Sequence, residues 1–146
     1  MGVYGKYDIP HKSLNKMYNA TKLGFNRFNF IVEGLFHPRF ALFADVGLNI
    51  FDVAHPGLDD MKIWDILGNL KYYPLIGTFQ TAFFAGGGMY FLNPGDEDWG
   101  LNLGASEEWR ITTHLSLEAK YNYNNVFTPG DKTIFSNAQL GLRFRF

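Results

Sequence analysis

The sequence predicts an all-β chain: eight antiparallel strands closed up-and-down into a transmembrane β-barrel, one domain over residues 1–146. Three observations predict it. Apolar and polar residues alternate in eight separate stretches, and because successive side chains of a strand point to opposite faces, each strand has one greasy and one charged face. Longer polar connections alternate with tight turns, as eight antiparallel strands require. The polar parity collects basic and acidic residues in near-equal numbers, a balance that a closed interior needs because unpaired buried charge is costly.

The elements follow in order. Residues 2–9 set Val3, Tyr7 and Ile9 against Lys6 and Asp8. Residues 22–36 set Phe28, Phe30, Val32 and Phe36 against Arg27, Asn29 and Glu33, and His-Pro-Arg at 37–39 makes a tight turn. Over 39–52, Phe40, Leu42, Ala44, Val46, Leu48 and Ile50 oppose Asp45 and Asn49. A Pro-Gly loop leads to 61–73, where Trp64, Ile66, Leu70 and Tyr72 oppose Asp65, Asn69 and Lys71. Residues 77–92 form the fifth strand, with a register blurred by Gly86, Gly87 and Gly88. Residues 93–98 read as an acidic loop. Over 99–110, Trp99, Leu101, Leu103, Ala105 and Trp109 oppose Asn102, Ser106, Glu108 and Arg110, with Glu107 out of pattern on the apolar side. Residues 114–126 set Leu115, Leu117, Ala119, Tyr121 and Tyr123 against Ser116, Glu118, Lys120, Asn122 and Asn124. The last strand ends as AQLGLRFRF, with Leu140, Leu142, Phe144 and Phe146 opposite Gln139, Arg143 and Arg145.

Composition narrows the function classes. Aromatics make up 18% of the chain, with 15 Phe, 8 Tyr and 3 Trp, and they crowd the strand ends at Trp64, Tyr72, Tyr73, Trp99, Trp109, Tyr121 and Tyr123, as interfacial girdles do. Thirteen basic residues face fourteen acidic ones, which leaves no electrostatic footprint for nucleic acid. The absence of cysteine excludes disulfides and thiol chemistry. Met1 to Pro10 carries charge and no apolar signal-peptide core, as in a cytosolic or a mature chain. Residues 72–95 lack charge and are long enough for a membrane helix, but Pro74, Gln80 and the glycine triplet interrupt them. Mean hydropathy is −0.12, consistent with apolar residues spread over strands.

The expected lumen charge network is Lys6, Asp8, Arg27, Glu33, Asp45, Asp65, Lys71, Glu108, Arg110, Glu118, Lys120, Arg143 and Arg145. A soluble barrel with the greasy face inside is the alternative arrangement. It would have to enclose nearly all the Phe, Trp, Leu and Tyr side chains in a lumen that eight strands make only wide enough for side chains to fill.

The chain resembles the eight-stranded outer-membrane β-barrel proteins, the OmpA/OmpX-like group in the broad sense. The residues that carry the resemblance are the glycine-rich fifth strand, LSLEAKYNY in the seventh, and the amphipathic last strand that ends on Phe146 with Phe144 and Leu142 behind it. The resemblance implies localisation in the bacterial outer membrane, contact with the lipid bilayer and lipopolysaccharide, and recognition of Leu142, Phe144 and Phe146 by the outer-membrane assembly machinery. It also leaves room for envelope protein partners. The periplasmic peptidoglycan-binding domain of larger relatives is not expected, because nothing follows Phe146.

Some small outer-membrane barrels modify lipids, and THLSLE places His114, Ser116 and Glu118 on alternate positions, similar to the barrel-type lipid A deacylase set. There the set should lie on the outer face; here all three share the interior parity, with His114 at a turn, and a lumen serine and a lumen salt-bridge glutamate are expected instead. His11, His37, His55 and His114 have no metal-ligand spacing, and Asp96, Glu97 and Asp98 lack the EF-hand pattern. No cofactor or catalytic residue is therefore expected. The sequence reads as a non-enzymatic barrel with a closed, charge-paired lumen and a structural or interaction role in the envelope. The alternatives are a narrow pore or small-solute transport barrel, then a lipid-modifying enzyme or a soluble lipid-binding barrel.

Overall fold

The computed structural model describes the backbone of residues 1–10, 24–51, 61–93, 97–129 and 133–144, with side chains for 1, 29–50, 62–92, 97–129 and 133–144. Eight strands follow one another: β1 (Gly2–Pro10), β2 (Gly24–His37), β3 (Phe40–Phe51), β4 (Met61–Tyr72), β5 (Phe79–Asn93), β6 (Glu97–Arg110), β7 (Leu115–Val126) and β8 (Thr133–Phe144). Each pairs antiparallel with its sequence neighbours, and β1 returns to β8 from Gly2↔Arg143 to Pro10↔Phe135, which closes the barrel. Closure leaves no strand with a row of unpaired backbone groups, as a sheet immersed in hydrocarbon requires. The Phe144 amide donates to the Met1 carbonyl at 2.7 Å, which pins the start of the chain to the end of β8.

The connections described in full lie at the end of the barrel that holds Met1 and Phe144. Residues 38–39 turn β2 into β3, 73–78 link β4 to β5, and 111–114 link β6 to β7. In the last of these the Thr112 hydroxyl accepts from the backbone N–H of His114 at 3.2 Å and of Leu115 at 3.0 Å, a side-chain substitute for a backbone turn. Among the described residues no helix is long and apolar enough to cross a membrane. Of the uncharged stretch 72–95, residues 72–93 are the end of β4, a turn and β5.

The alternation resolves into an apolar outside and a polar inside. Phe30, Val32, Leu42, Trp64, Ile66, Leu70, Phe83, Trp99, Leu101, Leu103, Leu140 and Leu142 are exposed. Buried polar side chains outnumber buried apolar ones among the described residues. In water this surface would be an apolar patch far larger than soluble monomers tolerate; against acyl chains it carries no such penalty. Glu107, the blemish on the apolar face of β6, is exposed and accepts from the Thr81 hydroxyl at 2.8 Å on paired β5.

The structure also corrects the sequence expectation in four places. Tyr73 does not join the aromatic girdle: it is buried, its hydroxyl in the lumen. Glu97 and Asp98 open β6 instead of lying in a loop, and Asp98 is buried. His114 is exposed in the turn rather than interior, because residues 111–114 break the strand parity. The interior is also more apolar than a charge network alone: Ile63, Leu67, Tyr90, Leu92, Val126 and Phe135 cluster inside toward the loop end, and Ile31, Phe43 and Phe84 lie below them. These residues share the parity of the lumen polar groups of their strands, as Phe43 does with Asp45 and Leu67 with Asp65.

The glycines of β6 make room for two of these rings. A Cβ at Gly100 would come within 2.6 Å of the Tyr90 ring, and one at Gly104 would collide with the Phe84 ring. Phe84 pairs directly with Gly104 across the two strands, so the aromatic side chain covers the space the glycine leaves.

Candidate functional site: the charged layer of the lumen

Five strands place the main cluster. Lys71 comes from near the end of β4, Glu33 from β2, Glu108 from β6, Glu118 from β7 and Arg143 from β8, all near the turn end of the barrel. Strand parity turns each of them inward, and the barrel brings together residues that are distant in sequence. Lys71 Nζ meets Glu118 at 2.6 Å and Glu33 at 3.4 Å. Arg143 forks between Glu108, at 2.8 Å, and Glu33. The Tyr73 hydroxyl donates to Glu33 and accepts from Arg143 at 3.1 Å. The side chains of Lys71, Glu33, Glu118, Arg143 and Glu108 are each no more than 7% exposed. Charges this deep are tolerated because each has a partner of opposite sign and hydrogen bonds besides.

Lys120 extends the cluster toward the loop end. Its ammonium lies 3.7 Å from Asp45 and over two rings, 4.5 Å from the centre of Phe43 and 5.0 Å from that of Phe84. The rings themselves meet edge to face at 5.3 Å. Desolvated cation–π contacts of this kind are worth about 2 kcal/mol. An amide chain crosses the lumen beside them: Asn29 donates to Gln139 at 3.0 Å, while Gln139 at 3.0 Å and Asn122 at 2.8 Å donate to Asn137. Toward the loop end Asn49 donates to Asp65, and Tyr90 donates to Asn124 at 3.0 Å while its ring meets Phe135 edge to face.

Of the sequence-predicted network, the structure brings together Glu33, Lys71, Glu108, Glu118 and Arg143, and pairs Asp45 with Lys120. Asp65 meets an amide. Arg110 departs from expectation: it sits at the rim, partly exposed, with no ion pair to any described residue, because Glu108, two positions back, is taken by Arg143. The side chains of Lys6, Asp8 and Arg27, and residues Arg145 and Phe146, lie outside the described residues, as do His11, His55 and Asp96. Leu142 and Phe144 face outward and are exposed. Sequence reading missed Tyr73, Phe43, Phe84 and Asp98 in the lumen; parity alone would have found Phe43 and Asp98.

The possible catalytic set does not converge. Ser116 and Glu118 are buried in the lumen, Glu118 bonded to Lys71, while the His114 ring meets the Thr113 hydroxyl at 2.9 Å in the exposed turn. Among the described residues no group of three or more His, Cys, Asp or Glu side chains is placed to hold a metal ion. The arrangement is suited to bracing one wall of the barrel against the others.

No family model matches the chain, and no curated protein sequence matches it. Solved structures do. Neisserial surface protein A aligns over 99% of this chain and 95% of its own, with a TM-score of 0.72 and 14% identity. The outer membrane protein OprG of Pseudomonas aeruginosa aligns over 99% and 94%, with a TM-score of 0.67 and 15% identity. Ail, the attachment invasion locus protein of Yersinia pestis, aligns over 99% and 96%, with a TM-score of 0.60 and 16% identity. With its inverted packing and closed antiparallel sheet, the chain has the fold of the small eight-stranded outer-membrane β-barrel proteins.

Proposed function

We propose that residues 1–146 form a single, non-enzymatic barrel domain of the bacterial outer membrane, with a lumen closed by charge pairing and a structural or interaction role in the envelope. The observation that carries this reading is the inversion of the surface: lipid-compatible side chains outside, paired charges within. A bilayer is the medium in which that arrangement is stable. Ail has been studied in a phospholipid bilayer nanodisc, and a lipid and lipopolysaccharide surround is proposed here too. Exposed Leu142 and Phe144 at the chain end supply the apolar side of the proposed assembly signal.

Closure is proposed because Arg143, Lys71, Glu33, Glu108 and Glu118 draw five strands together across a lumen of side-chain width. The apolar cluster around Tyr90 and Phe135 adds a second layer toward the loop end. Planar-bilayer recording tests it: the folded protein should give no steady single-channel current at neutral pH. A stable, long-lived conductance would replace this reading with the narrow-pore alternative.

A further inference from the structure

A second polar feature lies outside the charged layer, at the turn-end mouth. There the β2–β3 and β4–β5 turns enclose a pocket of about 380 Å³. Leu35, Phe36, Pro38 and Ile76 give it apolar walls, and His37, Arg110, Tyr73 and Gln80 complete the lining. The wall is a product of irregularity. The β2–β3 register shifts between Leu35 and His37, so two consecutive apolar residues, Leu35 at 59% and Phe36 at 63% exposure, both reach the surface instead of alternating. Bulges of this kind re-aim side chains, often beside binding sites.

Arg110 is the unsatisfied group. Its Nε is shut away from solvent and has no hydrogen-bond partner, and the guanidinium forms no ion pair with any described residue. Two acidic side chains of the turn-end layer, Glu108 and Glu33, both hold Arg143. His37 adds a donor. Its Nδ1 accepts from the Arg39 backbone N–H at 3.2 Å, which puts the proton of the neutral ring on Nε2. The pocket also sits at the level of the exposed aromatic row. Phe40 lies 6.3 Å from Phe36 and 5.1 Å from Tyr72, and Phe79 stacks on Trp109 at 6.0 Å. Such rows mark the depth of lipid headgroups.

We propose that this pocket binds the phosphodiester of a phospholipid in the leaflet facing the turn end, with Arg110 and His37 on the phosphate and Leu35, Phe36 and Ile76 along the start of the acyl chains. The proposal rests on the membrane reading above. Arginine suits it because its planar fork offers two parallel N–H donors to phosphate oxygens. An apolar wall against a cationic floor fits an amphipathic anion better than either a free phosphate or a neutral lipid.

The test is an NMR titration of the whole ¹⁵N-labelled chain folded in maltoside micelles, with dihexanoyl phosphatidylglycerol as ligand. Parallel titrations use inorganic phosphate and dihexanoylglycerol. The Arg110 Nε–H and Trp109 indole signals should move saturably with the phospholipid, and both partial ligands should bind at least about fivefold more weakly. Arg110→Gln should weaken the phospholipid response of the Trp109 indole by about fivefold or more, as loss of a charge-assisted bond does. Arg39→Gln removes an exposed charge nearby and should leave that response unchanged. No saturable shift, or an equal response to dihexanoylglycerol, overturns the phosphate assignment. An equal response to inorganic phosphate overturns the lipid assignment. Failure of the membrane reading would show separately, as a chain that stays folded and monodisperse without detergent.

Discussion

Replacing Arg143 by alanine removes the residue on which the charged layer converges. The guanidinium bridges Glu108 at 2.8 Å and Glu33, and donates to Tyr73 at 3.1 Å. Its loss takes that cation from Glu108, whose side chain is 1% exposed, and leaves Glu33 with only Lys71 and the Tyr73 hydroxyl from the cluster described. Breaking a buried pair from one side costs about 3–5 kcal/mol, because the remaining charge keeps its desolvation penalty without compensation. Two carboxylates are affected, which puts Arg143→Ala at the upper end of that range. Glu118→Ala takes one partner from Lys71, but Glu33 remains at 3.4 Å, so it belongs at the lower end. The assay is urea unfolding of the refolded barrel in detergent, followed by tryptophan fluorescence. With a slope of about 2 kcal/mol per M, Arg143→Ala should lower the midpoint by about 2 M. Adding Glu108→Gln to Arg143→Ala should recover part of the loss, because the carboxylate that lost its guanidinium is then neutral. Midpoints for Arg143→Ala and Glu118→Ala within about 0.3 M of the parent would refute the bracing argument, since the slope makes that less than about 1 kcal/mol.

Other outcomes follow from the same geometry. Gly88→Ala places a Cβ against the Ile66 carbonyl oxygen, whereas Gly68→Ala places one in open space on the outer face. The first should destabilise by about 1–3 kcal/mol and the second by less than about 0.5 kcal/mol, read from the same unfolding curves. Leu101→Arg puts a charge on an outward position that is 56% exposed to the lipid phase, and should cost up to about 2–4 kcal/mol if Leu101 lies near the midplane of the bilayer. Its measurement belongs in phospholipid vesicles, where a cost near zero would mean that Leu101 does not lie in the hydrocarbon core. Phe84→Ala removes a buried ring that meets Phe43 and carries part of the Lys120 contact, with an expected loss of about 3–5 kcal/mol in the same vesicle unfolding assay.

How much of this was legible in the sequence differs from residue to residue. The period-2 alternation placed Leu42, Trp64, Leu101 and Leu140 outside and Asp45, Lys71, Glu118 and Arg143 inside, because parity is a local property that register then locks across the whole strand. Partnership is not local. That Glu118 of β7 meets Lys71 of β4, or that Arg143 of β8 meets Glu33 of β2, depends on how the closed sheet staggers its strands and on which side chains cross the lumen. Glycine carries no parity signal of its own, so the register of β5 is set by Phe84, which pairs with Gly104, and by Tyr90, whose ring packs over Gly100. Apolar residues of lumen parity, such as Phe43 and Phe135, went unread because hydrophobicity in an inverted protein points outward by default. His114 and Tyr73 were misplaced for a simpler reason: each lies just beyond a strand, where alternation stops.

The central claim is that the greasy face of this sheet meets lipid and the charged face fills the interior. Its most direct test compares the protein refolded in detergent with the same chain in plain buffer. Boiled and unboiled detergent samples run side by side on an SDS gel report whether a closed barrel resists unfolding. The account predicts a heat-dependent change in mobility for the detergent sample and precipitation without detergent. A monodisperse, folded protein in plain buffer, with no mobility change on boiling, would contradict it and turn the sheet inside out.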